Sequence, residues 1–137
     1  MNIIKGLKTA KEESRKSTFK GGKISQHIGC SIYYKGHLLA VGHNSDKTHP
    51  LQHTYNSERY VDDRCPSKLH AEIMALSKIK YLDIDFNRVE VFIYRETFDG
   101  NMAIAKPCPS CEKCIKDMGI KRIHYTGNNR IVSERYM

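Results

Sequence analysis

The chain has 137 residues, 39% of them hydrophobic and 28% charged, with a formal net charge of +8. That length suits one domain spanning 1–137 with a core of its own, and the composition is that of a soluble globular protein. No apolar run approaches the roughly 20 residues that cross a bilayer, and MNIIKGLKTAKEESRKSTFK lacks the apolar centre of a secretory signal. A cytoplasmic protein without a membrane partner is therefore expected.

Positive charge gathers at the two ends. Residues 1–23 carry seven Lys or Arg against Glu12 and Glu13, and residues 113–137 carry six against Asp117 and Glu134. Such asymmetry favours an anionic partner, from a nucleotide phosphate to a polynucleotide, although a solvated basic surface has the same composition. In a reducing compartment the five cysteines, three of them within seven residues, read as metal ligands or catalytic groups before disulfides.

Ile3, Ile4, Leu7 and Ala10 recur at helical spacing and predict a first helix over about residues 2–16, broken by KGGK. HIGCSIYYKGHLLAVGHN then reads as a hairpin: Ile28, Cys30, Ile32 and Tyr34 alternate, Lys35-Gly36 turns, and Leu38 to Val41 returns. Residues 43–66 are polar and without period, a loop of a length that usually serves function. A helix is expected from Ser67, capped by that serine, with Leu69, Ile73, Leu76 and Ile79 or Lys80 as its apolar stripe.

VEVFIYRE from Val89 predicts a strand buried on at least one face, Asp99-Gly100 a turn, and NMAIAK a short returning strand. Pro109 or Ser110 opens another helix, with Cys111, Cys114, Ile115 and Met118 apolar and Gly119 as its stop. IKRIHYTG closes as a strand with Ile123 and Tyr125 on one side; residues 127–137 receive no assignment. Helices alternating with strands point to an α/β fold whose central sheet is covered on both faces.

Two segments carry chemistry. LHAEIMAL holds His70 and Glu72, KPCPSC holds Cys108 and Cys111, and each lies in the first turn of its predicted helix. A helix N-terminus offers partial positive charge and free N–H groups, which stabilise thiolates and developing anions. Two cysteines separated by two residues can hold one Zn²⁺, with a histidine from another helix end as third ligand. Three ligands leave one position for water, the arrangement of a catalytic zinc, and Glu72 would move a proton from that water to the leaving group.

His-x-Glu followed by Pro-Cys-x-x-Cys is the signature of zinc nucleobase deaminases. With His70-Ala71-Glu72 and Pro107-Cys108-Pro109-Ser110-Cys111, the sequence resembles the cytidine deaminase-like superfamily over about residues 2–126. The resemblance implies a three-layer α/β/α domain with a central mixed sheet. It also implies zinc on His70, Cys108 and Cys111, and Glu72 as the acid/base. Asn44 matches a position where the family often contacts the sugar, and Ala71, Lys47 and Thr48 join it as candidate substrate contacts, the last two as a phosphate grip in the long loop. The family commonly assembles into oligomers.

HAEIMAL closely resembles the helix of bacterial tRNA adenosine deaminases, but these carry Glu before Pro-Cys where this chain has Lys106. AKPCPSC followed by GIKRIHYT looks more like the cytidine and deoxycytidylate enzymes. The reading is thus a zinc-dependent hydrolase turning cytosine into uracil on a free nucleotide such as dCMP or CMP. Its alternatives are deamination of single-stranded DNA or RNA, tRNA adenosine included, and a non-catalytic zinc module that binds nucleic acid.

Cys114 and Cys30 read as core residues. Cys65, with His49 or His53, is a minority candidate for a second zinc, and Tyr55 and Tyr60 either stack on a base or anchor the loop. A redox role for Cys108 and Cys111 gives no task to His70 or Glu72.

Overall fold

The computed structural model describes residues 2–16, 26–45, 50–51, 70–97 and 101–136. Helix α1 spans Ile3–Ser14, followed by β1 (Gln26–Tyr34) and β2 (His37–His43). After helix α2 (Ala71–Ser77) come β3 (Val89–Thr97), the two-residue β4 (Met102–Ala103), helix α3 (Pro109–Asp117), β5 (Arg122–Thr126) and β6 (Ile131–Arg135). The strands form one six-stranded mixed sheet in the order β2-β1-β3-β5-β6, with β4 paired to β3. Only the β3–β5 pairing is parallel among these strands.

The period of two along the strands sorts side chains onto two faces. Cys30, Ile32, Val91, Ile93, Ile123 and Tyr125 join Ile73, Leu76, Cys114 and Ile115 of α2 and α3 in the larger core. On the opposite face Tyr33 and Phe92 pack with Leu7 of α1. The arrangement is helix, sheet and two helices, the α/β layering expected. β3 is buried on both faces, with Val91, Phe92 and Ile93 all fully covered.

Close packing of helices on the sheet requires glycine at two positions. A Cβ at Gly29 would meet the Ala10 carbonyl and lie 2.5 Å from Ser14 N, inside α1. A Cβ at Gly42 would meet the Ala71 carbonyl and lie 2.6 Å from Ala75 N, so α2 sits directly on β2. Lys78 Nζ, donating to Val41 O, and His43 N, donating to Met74 Sδ at 3.3 Å, fasten that contact.

The Lys35-Gly36 turn is present, with φ of 51° and 83° at its two residues, as the two-residue hairpin turn demands. Gly119 has φ 89° and ends α3: its N–H donates to Lys116 O and that of Ile120 to Ile115 O, which satisfies the last carbonyls.

One expectation needs correction, one choice is decided and one segment gains an assignment. The N-cap of α2 is His70, in extended conformation, and not Ser67. The apolar stripe continues past the helix end to Ile79, while Lys80 is exposed. Residues 131–135, unassigned from sequence, form the edge strand β6. KGGK, the Asp99-Gly100 turn and most of the 43–66 loop lie outside the described residues.

Candidate metal centre and active site

The two motifs meet because α2 and α3 cover the same face of the sheet and present their N-termini together. His70 and Cys108 occupy the equivalent position, the N-cap, and neither side chain caps its own helix. Each is turned instead toward the other motif. His70 Nδ1 is 3.2 Å from Cys111 Sγ and 3.5 Å from Cys108 Sγ.

The ligand atoms of His70, Cys108 and Cys111 all lie within 4.8 Å of one another. Zinc bonds of about 2.3 Å to sulfur and about 2.0 Å to nitrogen in a tetrahedron set donors roughly 3.5–3.8 Å apart. Two thiols and an imidazole at these separations fit zinc, and they supply three donors.

Hydrogen bonding with Cys111, helped by His70, outweighs burial and lowers the Cys108 pKa to about 3. Cys111 is correspondingly pushed well above its ordinary value, first by that bond and then by burial. A lowered thiol pKa favours the thiolate form, which is the species a cation takes up.

Glu72 is 5% exposed and hydrogen-bonds the Cys111 side chain, so its carboxyl stands at the cluster. Burial raises its pKa, opposed by His70 and reinforced by the negative charge of Cys108. A carboxyl moved upward is better matched to carrying a proton near neutral pH.

Asn44 lies at the end of β2 and is buried. Its N–H donates to Ile28 O at 3.2 Å, and its Oδ1 accepts from Ile28 N at 3.1 Å, which fixes the amide plane at the edge of the β1–β2 ladder. Ala71 is fully buried. Lys47, Thr48, His49, His53, Tyr55, Tyr60 and Cys65 lie outside the described residues. Cys114 and Cys30 are core residues, at 1% and 0% exposure. Lys106 is exposed.

Two further side chains were not singled out from sequence. Ser110, between the two cysteines, has a buried Oγ with no hydrogen-bond partner among the described residues. Arg95 has a buried Nε in the same condition. The arginine was legible: in Val89, Val91, Ile93, Arg95 the inward alternation ends on a charge.

Helix N-termini converging on one imidazole, two thiols and a carboxyl above an α/β sheet define a metal-dependent hydrolase site. Residues 2–126 match the family described as the cytidine and deoxycytidylate deaminase zinc-binding region, and the chain belongs to that family. It is a zinc-dependent hydrolytic deaminase.

The chain is similar to the dCMP deaminase of the cyanophage S-TIM5 in apo form, at 27% identity and a TM-score of 0.59, over 90% of this chain and 80% of that one. The same phage enzyme in complex with dCMP and dUMP gives 24% identity and a TM-score of 0.57 over 91% and 82%. Cytidine deaminase from Burkholderia pseudomallei shares the fold at 13% identity and a TM-score of 0.69, over 98% and 93%. No curated protein matches the sequence. Among the described residues no helix is long and apolar enough to cross a membrane.

Proposed function

We propose that the enzyme deaminates the cytosine base of a free nucleotide, dCMP or CMP, with His70, Cys108 and Cys111 holding the zinc and Glu72 moving the proton. The observation that carries this reading is the meeting of His70, Cys108 and Cys111 within 4.8 Å, with the Glu72 carboxyl bonded to one of them. Zinc, when bound, supplies the Lewis acidity that brings the pKa of a water to near neutrality. Glu72 accepts the proton that water gives up and delivers it to the base. The water oxygen bonds to C4 as N3 takes that proton; Glu72 then carries the oxygen's second proton to N4, the C4–N4 bond breaks, and uracil and ammonia result. A structural zinc site has no use for Glu72, which sets the non-catalytic alternative apart.

For the carrier, the similarity to a phage dCMP deaminase solved with dCMP and dUMP supports a free nucleotide. Asn44, held rigid by Ile28, is the proposed sugar contact, with Ala71 as a backbone contact and Lys47 and Thr48 toward the phosphate. The single-stranded polynucleotide alternative draws on the net charge of +8.

The test is a substrate panel for the zinc-loaded protein: cytidine, CMP, dCMP, single-stranded DNA and RNA, and a tRNA anticodon stem-loop, each beside Glu72→Ala. Turnover of dCMP or CMP that disappears in the variant is expected. Turnover confined to a polynucleotide would overturn the choice of carrier.

A further inference from the structure

Arg95 occupies a position in which a charge needs a reason. Val89, Val91 and Ile93, which precede it at a spacing of two, are fully buried in the larger core, and Arg95 ends their row on the face that carries α2 and α3. Its strand neighbours tie it to both sides of the active site. In β1 it is in register with Ile28, whose peptide group holds Asn44. In β4 it is in register with Ala103, from which the chain runs on to Cys108.

The guanidinium is only partly used. Nη1 donates to Ile104 O at 3.0 Å, while Nε is buried without a partner, and no carboxylate pairs with Arg95 among the described residues. Burial alone lowers its pKa, with no neighbouring charge to offset the cost. A half-buried guanidinium with an idle Nε is unfavourable by itself and becomes favourable when an oxyanion accepts from the fork.

We propose that Arg95 binds the 5′-phosphate of the substrate and so sets the preference for nucleotide over nucleoside. This rests on the free-nucleotide reading of the same site. Arg95 touches no reacting atom; it reads the end of the substrate away from the base. A purely structural Arg95, clamping the segment before Cys108 through Ile104 O, is the competing role, and it would act on nucleoside and nucleotide alike.

The test is calorimetric binding of dUMP and deoxyuridine, with inorganic phosphate as competitor, to the zinc-loaded wild type, Arg95→Gln and Arg95→Lys. Wild type should bind dUMP about 10- to 100-fold more tightly than deoxyuridine, the range expected of hydrogen bonds to a charged group. Arg95→Gln should lower that ratio about 10-fold, the rest resting on Lys47 and Thr48, and leave deoxyuridine binding unchanged; Arg95→Lys, which keeps the charge without the fork, should recover part of it. Phosphate should compete with dUMP most strongly in the wild type and most weakly in Arg95→Gln.

Equal binding of the two ligands by wild type, or equal weakening of both in the variants, would overturn the proposal. Melting temperatures identify a variant that fails to fold, and the wild-type ratio and phosphate competition still decide. Phosphate-dependent binding without any turnover of dCMP or CMP would strike down the proposed reaction on free nucleotides and leave Arg95 in its role.

Discussion

His70 Nδ1 lies 3.2 Å from Cys111 Sγ although 41 residues separate them in the chain. Neither residue is held there by its own helix alone; the contact exists because α2 and α3 share one sheet face. Replacing His70 or Cys111 with Ala should remove zinc and activity together, as read by metal analysis of the purified protein. Cys114→Ala, one turn along α3 and 1% exposed, should keep full zinc and cost about 1 kcal/mol of stability. Loss of zinc from Cys114→Ala would place that sulfur in the metal set.

Glu72→Gln keeps the size of the side chain and removes its ability to carry a proton. Zinc content should be unchanged while kcat falls about 10²- to 10⁴-fold, the usual worth of a positioned acid/base. A variant with wild-type kcat would assign the proton to another group.

Gly42 couples the sheet to the site. A Cβ there would strike the Ala71 carbonyl and crowd Ala75 N at 2.6 Å, displacing the helix that begins just after His70 and carries Glu72. Gly42→Ala should cost about 1–3 kcal/mol through overpacking and weaken zinc binding as well. Unchanged zinc affinity in a destabilised variant would show that the helix seat and the metal centre are independent.

Much of this was readable in the chain, and the failures have causes. The hairpin and α3 carry their own punctuation in Lys35-Gly36, Pro109 and Gly119. The site was readable because each motif sits at the start of a separate helix. The cap of α2 was misread because local propensity favours Ser67, whereas His70 is placed by contacts with Cys108 and Cys111 far along the chain. β6 was missed because an edge strand has no buried row: Ile131, Ser133 and Arg135 are exposed. It is held by its ladder with β5 and by His124 with Ser133 at 2.7 Å and Tyr125 with Glu134 at 2.8 Å.

The face opposite the site carries a pH-dependent contact. Glu13 is 6% exposed; burial raises its pKa, but hydrogen bonds with His43 at 2.9 Å and Lys16 at 3.1 Å outweigh that, and the net shift is downward from 4.5. A depressed carboxylate stabilises the fold above its unfolded pKa, and that stability is lost as pH falls through the lower folded value. The melting temperature should therefore drop below about pH 4.5, and Glu13→Gln should drop less over the same interval. Parallel curves for the two proteins would show that Glu13 contributes nothing to acid sensitivity.

The most direct measurement is ammonia release from dCMP and CMP by the zinc-loaded protein, with dUMP or UMP quantified in the same reaction. One ammonia per uracil nucleotide formed, abolished by removing the metal and restored by returning zinc, is the expected result. No ammonia from either nucleotide at full zinc occupancy would contradict the account.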